Sequence, residues 1–141
     1  MFFSLAWFGN DFTVLEITSQ KYSGGLEQSG HGTRYVVKLL AGKDSRKLKI
    51  DQLWIGDKYF AVKPVKDPKY RNNHEFFKND TIFLYADDHV YPDMVNKKEN
   101  TVNIKLPYKY NGAALIGYKL RNKRRYKVVE TITELEKIFY P

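Results

Sequence analysis

The stretch in which residue types come closest to chemistry is ADDHVYPD, residues 86–93. Asp87 and His89 are two apart, and alternate residues of an extended chain share a face. Both therefore project to one side, with Asp93 available beyond the turn, a set that suits an oxygen-rich or mixed metal site. Asp and His are equally ordinary at strand ends, so metal binding is the lesser expectation here. Asp87 and Asp88 point to opposite faces, which argues against an acid/base dyad. His31, His74 and His89 fall at three separate loops or loop edges, and neither a G-x-S-x-G elbow nor an H-E-x-x-H helix accompanies them. The chain has no cysteine, which excludes disulfides, thiolate metal sites and a cysteine nucleophile. The expectation is a protein that is not an enzyme and holds neither metal nor cofactor.

A second candidate is GGLEQSGHGTRY, residues 24–35, where four of the chain's nine glycines fall within nine positions. A phosphate cradle needs backbone N–H groups converging on the anion, usually at the start of a helix. Here Gly32 leads into Thr33, Arg34, Tyr35, Val36 and Val37, which is the start of a strand. The G-x-G-x-x-G spacing fails at Tyr35, and GKDS at 42–45 lacks the glycine pair and the hydroxyl after Lys43 that a P-loop requires. The glycines are expected to supply positive φ and close backbone approach where the chain crosses between sheets. The functional alternative is a ligand loop presenting His31 and Arg34.

Charge supplies the third. The chain carries a net charge of +8, and it divides into basic segments at 31–79 and 101–141 flanking an acidic one at 80–100. In a compact fold such alternation makes patches rather than a tail. The most concentrated patch is the tip of LRNKRR, where Arg121, Lys123, Arg124 and Arg125 surround Asn122 at a predicted hairpin turn. Charge of this kind protects edge strands from pairing with other chains, and the alternative is an anion-binding or membrane-headgroup patch. Aromatic residues interleave with basic ones in DPKYRNN (67–73), YKYN (108–111) and RRYK (124–127), which could stack bases beside phosphate contacts. In a chain with eleven tyrosines, most such residues are expected to be cross-strand pairs.

The elements that must position these groups read as strands. Aromatic residues make up 16% of the 141 residues, and Val, Ile and Thr recur, which suits pleated, half-buried surfaces. Alternation predicts strands at 12–19, 34–41, 47–55, 58–64, 81–86, 101–107, 113–120 and 125–132. TVNIKLP (101–107) is the clearest, with Val102, Ile104 and Leu106 on one face. Trp54 is expected in the core, on the face of Leu48 and Ile50. Tight hairpins are expected at Ile55-Gly56-Asp57-Lys58 and around Asn122, which tolerates positive φ. Only TELEKIF (133–139), with Thr133 and Glu136 spaced as a capping box, suggests a helical turn. One core is the default for this length, so residues 1–141 are expected to form one all-β domain. Its architecture is expected to be a single antiparallel β-sandwich of about eight strands, immunoglobulin-like in general form. The apolar start, MFFSLAWFG, is too short to span a bilayer and lacks the basic flank of a complete signal peptide. A first strand or core plug is expected there, ahead of a trimmed export signal or a peripheral membrane contact.

YSGG (22–25), GTRY (32–35), LWIGDKYF (53–60), KNDTI (78–82), ALIGYKLRNKRRY (114–126) and the closing YP together resemble a family of small uncharacterised bacterial proteins. The resemblance spans most of the chain. Many members of that family carry export or lipoprotein-type leaders, which implies a periplasmic or cell-envelope location; the cytoplasm is the alternative. This chain lacks a lipidation cysteine and has Asn122 where the family hairpin implies glycine. The family brings no activity and no functional residue. The resulting expectation is a cell-envelope binding or interaction module without catalytic activity, its partner a protein or a glycan. A basic nucleic-acid or anion binder is the alternative, and a small metal-dependent hydrolase built on ADDHVYPD comes third.

Overall fold

A computed structural model describes residues 11–24, 30–90 and 104–140. Among them the chain forms eight strands and no helix: β1 (Phe12–Ser23), β2 (His31–Ala41), β3 (Leu48–Ile55), β4 (Lys58–Ala61), β5 (Thr81–Val90), β6 (Ala114–Leu120), β7 (Lys123–Val129) and β8 (Thr133–Phe139). They make two four-stranded sheets, ordered β5-β2-β1-β8 and β4-β3-β6-β7. The all-β expectation therefore holds. The apolar start and most of the Gly24–Gly30 connection lie outside the described residues.

Side-chain alternation decides what each sheet buries. From the first sheet, Val37, Leu39 and Ala41 of β2 and Ile82, Leu84 and Ala86 of β5 point inward. From the second come Leu48, Ile50 and Leu53 of β3 and Ala114, Ile116, Tyr118 and Leu120 of β6. All of them join one buried cluster with Phe12 and Ile17. Burying a side chain of this size stabilises by about 1.5–3 kcal/mol, so this shared interior dominates the energetics.

Four features depart from expectation. TELEKIF is not a helical turn but β8, which pairs in parallel with β1, Thr18 opposite Thr133 and Ser23 opposite Phe139. The open edge of β1 offers a ladder of backbone hydrogen bonds, and this tertiary partner outweighs a local capping preference. That parallel pair also breaks the expected all-antiparallel pattern. In TVNIKLP, residues 101–103 lie outside the described part, and residues 104–107 run as an irregular strap rather than a strand. The Gly24–Gly30 connection does not cross between sheets. It joins β1 to β2, adjacent antiparallel strands of one sheet, and Gly24 N–H donates to the Gly30 carbonyl at 3.1 Å.

The fourth concerns Trp54. The register of β3 against β6 shifts between Ile50 and Gln52, and one extra residue in a strand flips everything after it to the other face. Trp54 thus leaves the face of Leu48 and Ile50 and points away from the shared core. It is nevertheless only 1% exposed. Tyr59 and Tyr126 pack against it with ring centroids at 5.3 and 6.2 Å, and its Nε1–H donates to the Ile104 carbonyl at 3.0 Å. The strap therefore builds a second, smaller apolar layer outside the second sheet.

Both expected hairpins form. Gly56 takes φ +63° between β3 and β4, and Arg121 (φ +50°) and Asn122 (φ +73°) both adopt the left-handed region between β6 and β7.

Candidate ligand groove on the outer face of the first sheet

Two cross-strand rows organise this face. Gln20, Arg34 and Asp87 stand side by side on β1, β2 and β5, and Tyr22, Gly32 and His89 form the next row. Because Gly32 has no side chain, the Tyr22 ring can lie across β2 and reach β5. Its hydroxyl donates to Asp87 Oδ1 at 2.7 Å and sits 2.7 Å from His89 Nδ1. A phenol has one proton and an ionised carboxylate can only accept, so the His89 contact requires Nδ1 to carry a proton and donate. The side-by-side projection of Asp87 and His89 anticipated from their spacing is what makes this chain of bonds possible. Asp93, the third member of that constellation, lies outside the described residues. Among the described residues no group of three His, Cys, Asp or Glu side chains is arranged to hold a metal ion.

Tyr22 is 7% exposed although it points away from the core, because other groups cover it. The Arg34 guanidinium lies 4.9 Å from its ring centroid, the His89 ring stacks at 5.6 Å, and Tyr140 meets it edge-on at 6.2 Å. Arg34 Nη1 also donates to the Tyr140 hydroxyl at 3.4 Å. That bond, ahead of the weaker opposing effect of burial, holds the guanidinium further into its charged form.

A second arginine approaches from the connection between β4 and β5. There Asp67 organises a turn, accepting the Lys69 N–H at 2.9 Å with its side chain and the Tyr70 N–H at 2.9 Å with its carbonyl. His74 Nδ1–H donates to the Pro64 carbonyl at 2.9 Å and ties the two ends of this loop together. Val65 bridges to Phe83 at the edge of β5. Arg71 is thereby placed over Tyr85, its guanidinium 4.1 Å from the ring centroid. Burial is the main cause that raises the Tyr85 phenol pKa, with the Arg71 charge opposing it. Tyr85 therefore remains a neutral hydroxyl at physiological pH.

Arg34, Arg71, Tyr85, Ala86 and Asp87 line one open cavity of about 420 Å³. The ion pairs among the described residues are Lys21–Glu134, Lys58–Asp88, Lys66–Asp80, Arg124–Asp51 and Arg125–Asp11. Neither Arg34 nor Arg71 has a carboxylate within salt-bridge reach among those residues. Two stacked guanidiniums and one carboxylate give the cavity a formal charge of about +1. A larger groove of about 570 Å³ runs between residues 13–17 of β1 and residues 127–131. Its charged lining residues are Glu16, Lys127 and Glu130, so it holds one cation rather than two, and the Lys127 ammonium donates to the Phe12 carbonyl at 2.8 Å.

The other anticipated ligand residues are dispersed. His31 and Arg34 are three apart on one strand and so face opposite ways. The basic hairpin is split likewise. Arg124 forms a two-pronged bond to Asp51, at 2.7 and 3.0 Å, while Arg125 Nη1 donates to Asp11 Oδ2 at 3.2 Å on the other face. Arg121 and Lys123 remain exposed at the tip. Of the expected set, Arg34 shares a cavity with a second arginine, Arg71, which stands out in the sequence only as part of the DPKYRNN stretch. Nothing in local spacing distinguishes Tyr22, Tyr85 and Tyr140 from the other tyrosines.

No family model, no curated protein and no solved structure matches the chain.

Proposed function

We propose that the chain is a non-enzymatic binding module, a β-sandwich of immunoglobulin-like general architecture that holds a glycan on the outer face of its first sheet. The supporting observation is the pair Arg34 and Arg71, each stacked on a tyrosine and each without a carboxylate partner among the described residues, lining one cavity. Stacking fixes the guanidinium planes before a ligand arrives, so less freedom is lost on binding. Each guanidinium offers a fork of N–H donors, and Asp87 offers acceptor oxygens. Sugar hydroxyls need both kinds of partner at close spacing.

The absence of a catalytic role rests on what Tyr22 does to its neighbours. It is buried, and it engages Asp87 and His89 in a hydrogen-bonded chain that fixes the groove wall. A cell-envelope location belongs to the proposal through the sequence resemblance, and glycans are the polymers such a location supplies. Against the nucleic-acid alternative stands the pairing of Arg124 and Arg125, at one of its three basic-aromatic stretches, with carboxylates.

A glycan array probed with the wild-type chain and with Arg71→Ala tests the proposal. Arg71 is exposed, so its removal should leave the fold intact. Binding by the wild type that Arg71→Ala abolishes is the expected result. No binding by the wild type, or binding indifferent to Arg71, overturns the assignment of this groove.

A further inference from the structure

We infer that the groove selects an acidic sugar, with a ring carboxylate of the uronic-acid type seated between Arg34 and Arg71. The inference rests on the glycan-binding function proposed above and adds the ligand's charge. Arg34 and Arg71 put two like charges on one cavity of about 420 Å³, an arrangement that favours an anion between them because screening by salt acts only beyond about 8 Å. Elsewhere the fold answers this need internally, giving Asp51 to Arg124 and Asp11 to Arg125. At Arg34 and Arg71 the one carboxylate lining the cavity is Asp87, which acts on Arg34 through its charge, so among the described residues one positive charge of the two is left for a ligand to match.

The kind of anion follows from the balance of charge and shape. Asp87 shares the cavity, so the site has room for about one net negative charge. A phosphate monoester carries about −1.5 to −2 at neutral pH and would meet Asp87 at a cost. A carboxylate carries one charge and is planar, matching the fork of a guanidinium in a two-pronged arrangement. Asp87 Oδ1 already accepts from Tyr22, which leaves its second oxygen to accept from a ring hydroxyl.

The test uses hexasaccharides of galacturonate, glucuronate and mannuronate, each with its carboxyl-reduced neutral counterpart, and a sulfated hexasaccharide of matched length. Calorimetry on the full chain should show one uronate hexamer bound at least about ten-fold more tightly than its reduced form, the equivalent of one charge-assisted hydrogen bond. Arg71→Gln should erase that preference while leaving thermal unfolding unchanged. Equal affinity for an acid and its reduced form, with both lost in Arg71→Gln, overturns acid selection and leaves the glycan groove standing. Tighter binding of the sulfated sugar also overturns it. Failure of every hexamer, acid and neutral, overturns both the inference and the function beneath it.

Discussion

The Tyr22 ring lies so close over Gly32 that a Cβ placed there would sit 2.6 Å from the Tyr22 hydroxyl and 2.7 Å from the Asp88 carbonyl oxygen. One glycine thus couples three strands, because it lets a β1 side chain bond to two residues of β5. Gly32→Ala should destabilise by about 1–3 kcal/mol, the usual cost of overfilling a packed site, and should also break the Tyr22 bond to Asp87 of the groove wall. Gly56→Ala separates these effects. It meets nothing within 4 Å and suffers only from its φ of +63°, about 1–2 kcal/mol of backbone strain. Urea denaturation and tyrosine accessibility of both variants would decide. Gly32→Ala with unchanged stability and a shielded Tyr22 would refute the crossing.

Trp54 should be among the most costly residues to truncate, although it faces away from the main core. Trp54→Ala removes a side chain that is 1% exposed and leaves a cavity under the 104–113 strap, at about 3–5 kcal/mol. With Trp7 replaced by Phe, emission from Trp54 should be blue-shifted. A solvent-like maximum would mean that the strap does not cover it. Trp54→Phe should retain much of the packing but lose the bond to the Ile104 carbonyl, detaching the strap at lower denaturant than the sheets.

The contrast between these two sites explains how much could be read from residues alone. Val37, Leu39 and Ala41, or Leu84 and Ala86, announce their strands because alternation is a local signal produced by burial of one face. Strand β8 makes no such announcement. Five of its seven residues in a row, Thr133 to Lys137, are exposed, so the only legible pattern was a capping-box spacing that the pairing with β1 overrode. Trp54 was legible as buried but not as to face, because the shift after Ile50 leaves no mark in composition. The groove was half legible. Asp87 and His89 share a face by spacing, and Arg34 was suspected for its neighbours. Bringing Arg71 and Tyr22 to them depends on the register between segments 65 residues apart, as in the Tyr22–Asp87 bond, and one chain's pattern does not encode that register locally.

The basic hairpin should matter for solubility more than for stability. Strand β7 ends its sheet, and Arg121 and Lys123 at its tip are exposed. In the Arg124–Asp51 pair the side chains are 27% and 44% exposed, so the pair contributes less than about 1 kcal/mol. Replacing Arg121, Lys123 and Arg124 with Gln should therefore shift unfolding only slightly while lowering the concentration at which the protein precipitates. Titration against single-stranded DNA at two salt concentrations provides the opposing outcome. Tight wild-type binding with a steep salt dependence, lost in the triple variant, would move the binding site from the groove to the hairpin.

Alkaline pH should unfold the protein through Tyr118. Its side chain is 5% exposed, and its hydroxyl donates to Asp11 Oδ2 at 2.8 Å. Burial first, then the hydrogen bond and negative charge of Asp11, push the phenol pKa well above its ordinary value, against a smaller opposing effect of Arg125. An unfolded tyrosine loses its proton near pH 10, whereas the folded one keeps it. Above about pH 10 the native state thus binds more protons than the unfolded state, and stability falls as pH rises. Tyr35, Tyr59, Tyr85 and Tyr110 are raised as well, each chiefly by burial, and they steepen the fall. Lys127 works the other way. Burial lowers its pKa, so in the window below about pH 10.4 the unfolded state holds more protons at this site and stability rises slightly with pH. Tyr118→Phe should be less stable than wild type at pH 7 by about 1 kcal/mol for the lost hydrogen bond. Between pH 9 and pH 11 it should lose less than the wild type does, so the two curves converge. Urea midpoints measured across that range would show it, and curves that stay parallel would mean that Tyr118 ionises as freely in the folded chain as in the unfolded one.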